Sequence, residues 1–165
     1  MALFNRQVGP IALYGATGYT GRLVAAELAA AKADFVLSGR NRGKLESLAE
    51  ELDGNVAVQA AALDDGVALR SLLADCAAVI DCAGPLIRHG EPVLRAAVET
   101  ETHYLDTTGE QVYMRLAFDR YGPEAEVAGI AVIPAMGFDY VPGDMLASLT
   151  ARGMGELDEI ALSYA

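Results

Sequence analysis

Basic residues, histidine and cysteine are scarce in this chain, and each shortage narrows the functions it can have. Its 165 residues include 12 lysines and arginines against 23 aspartates and glutamates, which gives a formal net charge of -11. So acidic a chain argues against nucleic acid or an anionic membrane as a partner, because both attract basic surfaces. The two histidines and two cysteines show no metal-ligand spacing, so no metal site is predicted.

Long hydrophobic runs are missing as well. A membrane-spanning helix needs roughly 20 consecutive apolar residues, so no membrane span is predicted. Residues 1–6 lack the apolar core of a secretory signal, and a cytoplasmic location is the expectation. Cys76 and Cys82 flank one predicted strand without forming a C-x-x-C pattern, and we expect both to be core thiols. A hydrophobic content of 53% in 165 residues predicts one globular domain with a substantial core.

Three evenly spaced glycines follow the first apolar run, Ile11–Tyr14. Gly15 permits a sharp exit from a strand, Gly18 lets a pyrophosphate approach the backbone, and Gly21 lets the next helix pack close to the strand. That helix, predicted over residues 20–31, directs its unpaired N–H groups and positive dipole end at the turn. The spacing G-x-x-G-x-x-G, rather than G-x-G-x-x-G, is typical of extended and atypical reductases. The predicted phosphate-binding turn consists of Gly15, Ala16, Thr17, Gly18, Tyr19, Thr20 and Gly21.

Strand-like and helix-like segments alternate along the rest of the chain. After the first strand, five more are predicted at residues 35–39, 56–59, 78–83, 103–106 and 130–133. Alternation of this kind builds right-handed βαβ units, so the expected fold is α/β, a doubly wound parallel sheet with strand order 3-2-1-4-5-6. In this dinucleotide-binding (Rossmann) fold, the ligand crevice lies at the carboxyl ends of the strands.

Caps, breakers and apolar faces define the predicted helices. The first buries a face of Leu23, Val24, Leu28 and Ala31. The second follows a cap at Asn41 and stops at Gly54, and the third is capped by Asp64 or Asp65. The fourth has Pro92 in its first turn, the fifth runs from Glu110 to a break at Gly122-Pro123, and a last one passes through Leu146 and Leu149.

The residues after the second predicted strand indicate which nucleotide is bound. An acid about 20 residues beyond the glycine turn would accept a hydrogen bond from the ribose 2'-hydroxyl of NAD. The candidate by this count, Asp34, precedes the second strand and so lies about 15 Å from the carboxyl end of that strand, where the ribose is expected. The carboxyl end instead carries Ser38, Gly39, Arg40, Asn41 and Lys44. Together with Arg42, this segment holds three of the 12 basic residues and favours a 2'-phosphate bound by Arg40, hence NADP(H). The alternative is that these basic residues are only solvated side chains at the start of a helix, although positive charges there oppose the helix dipole.

The remaining strand ends give the other candidate contacts. Asp64 is expected beside the adenine, and Cys82, Ala83, Gly84 and Pro85 beneath the nicotinamide ribose, where small residues and a rigid turn let the cofactor cross. His89 is a candidate proton donor or simply a solvated side chain. His103 opens a strand and is expected to be structural.

Four segments together resemble the NADP-binding domain of the saccharopine dehydrogenase family, in particular its saccharopine dehydrogenase-like oxidoreductases and trans-acting enoyl reductases. They are residues 15–21, residues 82–85 with 90–93, residues 106–110 (Asp-Thr-Thr-Gly-Glu) and residues 137–144 (Gly-Phe-Asp-Tyr-Val-Pro-Gly-Asp). The segments occur in family order and span nearly the whole chain. The resemblance implies NADP(H) at the sheet edge and a second, substrate-binding domain after the nucleotide domain.

The expected domain organisation follows from that resemblance. Residues 1–155 are predicted to form the NADP-binding domain, and residues 156–165 the first strand of a substrate or dimerisation domain, because residues 159–165 alternate large and small side chains. The chain as given is expected to bind NADP(H) without turning over a substrate, and to dimerise through this segment or leave it disordered.

Three functions remain open. The first is the NADP(H)-binding part of an oxidoreductase that moves hydride to or from a C=N or C=C bond of a small-molecule or lipid-derived substrate. The second is a non-catalytic NADP(H) sensor or interaction module. The third is a complete short-chain reductase. It is disfavoured because the usual Tyr-x-x-x-Lys pair of those enzymes is absent: neither Lys32 nor Lys44 follows a tyrosine by four positions.

Overall fold

A computed structural model describes residues 8–52 and 55–163. Six parallel strands form one sheet in the order β3-β2-β1-β4-β5-β6, as predicted. The strands are β1 (Ile11–Tyr14), β2 (Phe35–Gly39), β3 (Ala57–Ala60), β4 (Ala78–Asp81), β5 (His103–Asp106) and β6 (Val132–Ile133). The change of direction at β1 and β4 places the ends of these two strands at the centre of the carboxyl edge, the switch point where ligands bind in this fold.

Seven α-helices of the described chain connect and cover the strands. They are α1 (Tyr19–Ala30), α2 (Arg42–Glu51), α3 (Gly66–Leu73), α4 (Leu86–Glu99), α5 (Gln111–Leu116), α6 (Gly122–Ala128) and α7 (Val141–Ala151). One core, between the sheet and α1 and α2, contains Leu13, Leu37 and Leu45. The other, beneath α3 to α6, contains Val79, Leu94 and Tyr104. The sheet is therefore covered on both faces, which explains why its strands are nearly continuous apolar runs.

The buried face of α1 differs from the predicted stripe. Gly21 and Ala25 are its buried residues, whereas Leu23 is 55% exposed and Ala31 follows the end of the helix. Small residues at the contact let the helix backbone approach the sheet closely, and this rotates the larger side chains toward solvent. The interpretation of Leu23 and Ala31 as core residues was wrong for this reason.

The start of α4 also differs from the prediction. The helix begins at Leu86, so Pro92 lies in its interior rather than in its first turn. A carboxylate oxygen of Glu110 accepts hydrogen bonds from the N–H groups of Leu86 and Ile87 at 2.6 and 3.1 Å. These bonds satisfy donors that a helix leaves unpaired at its N-terminus and stabilise the additional turn.

Gly122 and Pro123 begin a helix instead of ending one. The segment after α5 is a π-helical turn, Ala117–Tyr121, and α6 follows it with Pro123 near its N-terminus. Proline is well tolerated there because its missing N–H would have no helical partner. The α-helix therefore changes to a π-helical turn at Ala117, five residues before the predicted interruption. Gly54, the predicted stop of α2, lies outside the described residues.

The segment after α7 shows no strand over residues 154–163, and Tyr164 and Ala165 lie outside the described part of the chain. Because a strand would require a neighbour in another domain or subunit, the strand prediction for residues 159–165 stays a prediction. In the described residues no helix combines the length and apolar character that crossing a membrane requires.

Candidate functional site

The glycine turn occupies the switch point, and two of its glycines are required by the fold itself. Gly15 adopts a φ of +74°, and a Cβ on it would lie 2.7 Å from the backbone N of Ala83. A Cβ on Gly21 would lie 2.3 Å from the carbonyl oxygen of Gly15 and 2.8 Å from Cα of Ala16. Both distances are far below a van der Waals contact, so any side chain at either position would force backbone apart.

Gly18 is different, because the fold does not require a glycine there. Its φ is -76°, which any residue adopts, and among the described residues a Cβ on Gly18 would meet only the Gly15 carbonyl oxygen, at 3.3 Å. Gly18, Tyr19 and Thr20 are exposed, while Ala16 is buried and Thr17 is partly buried. The turn therefore presents bare backbone to the carboxyl edge at the position expected to meet the pyrophosphate.

The N-terminus of α1 is uncapped by any described side chain. Three other helices that begin at this edge are capped: Asn41 accepts from the N–H of Lys44 in α2, Asp65 from the N–H of Ala68 in α3, and Glu110 binds the start of α4. The cap of α3 resolves the alternative between Asp64 and Asp65 in favour of Asp65. Of these four helices, α1 alone keeps its first N–H groups and positive dipole end available to an anion.

The basic segment lies beside the glycine turn. The N–H of Ala16 donates to the carbonyl of Ser38 at 3.1 Å, which joins the turn to the end of β2. Gly39, with a φ of +155°, then directs the chain to Arg40 and Lys44, both exposed. Arg42 forms an ion pair with Glu46 at 3.5 Å, whereas no ion pair of the described residues includes Arg40 or Lys44.

Two predicted contact residues of this segment have structural roles. Ser38 is completely buried, and its hydroxyl donates to the Gln59 carbonyl at 2.7 Å, which ties β2 to β3. The Asn41 side-chain oxygen caps α2. Cofactor contact by either side chain stays a prediction. Asp34 lies at the opposite, amino-terminal edge of the sheet, where its carbonyl accepts from the N–H of Ile11.

Tyr14, which the sequence pattern did not single out, supports the side of the crevice where the adenine is expected. Its hydroxyl donates to the Ala61 carbonyl at 2.9 Å and so holds the segment after β3, where Asp64 is exposed. Burial, with a smaller contribution from the Asp81 carboxylate, raises the pKa of Tyr14 to about 12. Tyr14 is therefore a neutral hydrogen-bond donor that fixes one wall of the crevice.

The segment 82–85 follows β4 on the other side of the turn. The N–H of Cys82 donates to the Tyr14 carbonyl, Cys82 and Ala83 are partly buried, and Gly84 and Pro85 are exposed. Burial raises the pKa of the Cys82 thiol to about 12, so the thiol stays protonated and is a poor nucleophile. Cys76 is a buried free thiol, as expected of a core residue, whereas Cys82 is a free thiol that is only partly buried.

Three of the four family-like segments are joined by hydrogen bonds at this edge. An Asp106 carboxylate oxygen, Oδ1, accepts from the N–H groups of Thr108 and Ala135 at 2.8 and 3.0 Å. Glu110 binds the start of α4 directly after residue 85, and the Tyr140 hydroxyl donates to the Gly109 carbonyl at 3.3 Å. Segments 82–85, 106–110 and 137–144 thus form one continuous surface next to the glycine turn.

Asp81 and Asp106 lie side by side beneath that surface. They are Cα partners in the register of β4 and β5, and both are 0% exposed. Asp81 Oδ1 accepts from the N–H of Ala83 at 2.9 Å, and its Oδ2 accepts from the Tyr104 hydroxyl at 3.4 Å. Burial raises the pKa of Asp81 to about 7 and also raises the pKa of Asp106. The signal for this cluster was visible in the sequence, because both strands end in aspartate.

The two histidines have different roles. His103 Nδ1 accepts from the N–H of Ala131 at 2.9 Å and connects β5 to the start of β6, which confirms its structural interpretation. His89 is exposed in the first turns of α4, and its role as a proton donor stays a prediction. In the chain as described, no group of three His, Cys, Asp or Glu side chains could hold a metal ion.

Comparison with known proteins agrees with this geometry. The model of the saccharopine dehydrogenase NADP binding domain family matches residues 11–133. A trans-acting enoyl reductase of Mycobacterium tuberculosis is 35% identical over 140 residues, covering 82% of this chain and 34% of that protein. A putative trans-acting enoyl reductase of the same species is 38% identical over 141 residues, covering 82% and 33%. The chain thus spans about one third of the length of these curated relatives.

Solved structures show the same fold. The saccharopine dehydrogenase (L-Glu forming) from Saccharomyces cerevisiae superimposes with a TM-score of 0.70 at 21% identity, covering 86% of this chain and 30% of that one. The leucoanthocyanidin reductase from Vitis vinifera, solved with NADPH, has a TM-score of 0.55 at 18% identity and covers 74% of this chain and 47% of that one. With a family model that matches residues 11–133 and relatives above 30% identity, this chain belongs to the saccharopine dehydrogenase NADP-binding domain family of oxidoreductases.

Proposed function

We propose that this chain binds NADP(H) and forms the nucleotide-binding part of an oxidoreductase that transfers hydride to or from a C=N or C=C bond. The observation that carries the proposal is the N-terminus of α1. It has no side-chain cap among the described residues, and it begins at a glycine that the fold itself does not require. A pyrophosphate would use both features, because it needs free N–H donors and close approach to the backbone.

The residues around this turn fit the rest of the cofactor. Arg40 and Lys44 are exposed beside the turn and lack ion-pair partners in the described chain, so they can neutralise a 2'-phosphate. Arg42 is less suited because Glu46 already neutralises it. Residues 82–85 provide a small-residue surface on the nicotinamide side, exposed at Gly84 and Pro85, and Asp64 borders the adenine side.

The proposed hydride transfer would take place at the nicotinamide end. NADPH, when bound, supplies a hydride, and the protein must orient the acceptor and exclude water. Residues 82–85, 106–110 and 137–144 form one wall of that space, held together by Asp106 and Glu110. The Cys82 thiol does not take part as a nucleophile because burial keeps it protonated. His89 is the candidate proton donor of this chain.

A second domain is proposed to complete the site and to bind a small-molecule or lipid-derived substrate. Apolar side chains of α7 and the following segment support this, because they are between 42 and 60% exposed on one stretch of chain: Met145, Leu146, Leu149, Met154, Leu157, Ile160 and Leu162. Contiguous exposed apolar residues mark contact surfaces. A homodimer through the same surface is the alternative arrangement.

Titration of NADPH and NADH into the purified chain tests the proposal. Charge-assisted bonds to the 2'-phosphate contribute about 1.5–3 kcal/mol, so NADPH is expected to bind about ten- to a hundredfold more tightly than NADH. Arg40→Ala should remove most of this preference and leave NADH binding unchanged. Arg42→Ala is the matched control. It removes the same charge two residues further along the chain, but from a side chain that already pairs with Glu46.

Equal affinities for NADPH and NADH would refute the 2'-phosphate assignment, and so would an equal loss in the Arg40 and Arg42 variants. Turnover is tested separately, by NADPH oxidation with imines and activated alkenes in a longer form of the protein that includes the second domain. Tight NADPH binding without turnover of either class would favour the sensor over the oxidoreductase.

A further inference from the structure

The carboxyl pair, Asp81 and Asp106, is the most unusual group in the core. The two residues end neighbouring parallel strands at the same register, so their Cα atoms are about 4.8 Å apart. Both side chains lie on the face of the sheet that carries the tyrosines of β5 and α5, and neither has any exposed surface. Two acids so close together and so well shielded interact strongly with each other.

No positive group balances this pair within the described residues. The ion pairs of the described chain include neither Asp81 nor Asp106. Asp106 Oδ2 is buried and has no hydrogen-bond partner among the described atoms. The titratable groups that act on the pair are all acidic or neutral: Tyr14 from β1, Cys82 after β4, Tyr104 from β5, Glu110 before α5 and Tyr113 from α5.

Because two buried negative charges without a counter-charge repel each other, the pair retains a proton over part of the neutral range. The Tyr104 and Tyr113 hydroxyls, 2.9 Å apart, continue the polar network away from the sheet edge. The raised pKa of Asp81, about 7, follows mainly from burial and places its titration in the neutral range.

The pair also supports the surface proposed for the nicotinamide. Asp81 Oδ1 holds the N–H of Ala83, and Asp106 Oδ1 holds the N–H groups of Thr108 and Ala135. These bonds tie the buried acids directly to the backbone of the surface proposed for the nicotinamide. The oxidised ring carries a positive charge and the reduced ring does not, so only the oxidised form can serve as the missing counter-charge.

We propose that the carboxyl pair determines how strongly the site prefers oxidised over reduced cofactor, and that it couples this preference to one proton. The inference rests on the proposed binding of NADP(H). When NADP+ binds, the ring favours the doubly ionised pair, and the proton that the pair held is released to solvent. When NADPH binds, the pair keeps that proton. The preference for NADP+ therefore grows as the pH rises.

Equilibrium titrations of NADP+ and NADPH at pH values from 6 to 8.5 test this coupling. The ratio of the NADPH to the NADP+ dissociation constant should rise about tenfold across this range, since a shift of one pKa unit corresponds to a tenfold change in relative affinity. Titration of the 2'-phosphate does not affect the ratio, because both forms carry that group. In Asp81→Asn the ratio should vary less than about twofold.

Asp75→Asn is the matched control, because it removes an exposed carboxylate from the turn that precedes the same strand. This variant should keep the pH dependence of the wild type. Calorimetry of the wild type in two buffers of different ionisation enthalpy gives a second measurement that needs no variant. NADP+ binding should release a larger fraction of a proton near pH 7 than NADPH binding does.

The results separate the two proposals. Three results would overturn the role of the carboxyl pair while NADP(H) binding stands. They are a ratio of dissociation constants that does not change with pH although both forms bind tightly, equal proton release on binding of both forms, and an unchanged pH dependence in Asp81→Asn. Failure of both forms to bind would overturn the proposed function together with this inference.

Discussion

Alanine substitutions at Gly18 and Gly21 separate the role of the glycine turn in folding from its role in binding. A Cβ on Gly21 would lie 2.3 Å from the Gly15 carbonyl oxygen and 2.8 Å from Cα of Ala16. Neither atom can move easily, because Gly18 N–H donates to that carbonyl and Ala16 N–H donates to Ser38. Helix α1 would therefore have to shift by about 1 Å to restore an ordinary contact distance. At Gly18 the contact is 3.3 Å and small adjustments suffice.

The size of each effect follows from these contacts. Overpacking costs about 1–3 kcal/mol, and contacts with backbone atoms place Gly21→Ala in the upper part of that range, about 2–3 kcal/mol, of which about 1 kcal/mol is offset because alanine is the better helix former. Gly21→Ala should thus lower the free energy of unfolding by about 1–2 kcal/mol, or the melting temperature by about 2–8 °C for a chain of this size. At Gly18 the weaker N-cap preference of alanine, about 0.5 kcal/mol, is offset by the reduced entropy of the unfolded chain, so stability should stay within about 0.5 kcal/mol.

Denaturation followed by circular dichroism gives the stabilities, and titration with NADPH gives the affinities. Gly18→Ala should bind NADPH at least tenfold more weakly at nearly wild-type stability, since the added methyl occupies space that the pyrophosphate needs. Gly21→Ala should lose stability. The reasoning fails if Gly18→Ala binds NADPH like the wild type, or if the two variants lose stability equally.

Two further predictions concern stability. Glu110→Ala should lower the free energy of unfolding by about 1–2 kcal/mol because it removes the acceptor of two N–H groups at the start of α4, and Glu110→Gln, which retains an oxygen, should lose less in the same urea titration. The raised pKa of Asp81 means that this carboxyl group binds a proton more tightly in the folded chain than in the unfolded chain. The group therefore contributes stability that is fully present below about pH 4 and is lost as the pH rises toward 7. Asp81→Asn, compared with the wild type at each pH, should therefore gain relative stability between pH 5 and 8, and a constant difference would contradict the buried titration.

Most of the fold could be predicted because its signals are local. Each strand is a short apolar run, and the order of strands follows from the alternation with helices and from the handedness of βαβ units. The bounds of β2 and β5 agree with the prediction, as does the cap at Asn41. These features depend on residues that are neighbours in sequence.

The errors arose where distant residues decide local structure. The early start of α4 depends on a carboxylate 24 residues away, and the orientation of α1 depends on how closely Gly21 can approach the turn. The carboxyl pair was overlooked because Asp81 was treated as part of an apolar strand, and only the register of β4 with β5 brings it beside Asp106. Sequence patterns identify such residues individually but not their contacts.

Backbone amide resonances of the 17.3 kDa chain test the central claim most directly. In a titration with NADPH followed by two-dimensional 15N NMR, the account predicts the largest shifts at residues 15–21, 38–44 and 82–85, which converge at the carboxyl edge of β1, β2 and β4. NADH should shift the first and third of these segments and affect Arg40 and Lys44 much less. Saturable shifts confined to other parts of the chain, such as α7 and residues 154–163, would show that the nucleotide binds elsewhere and would contradict the account.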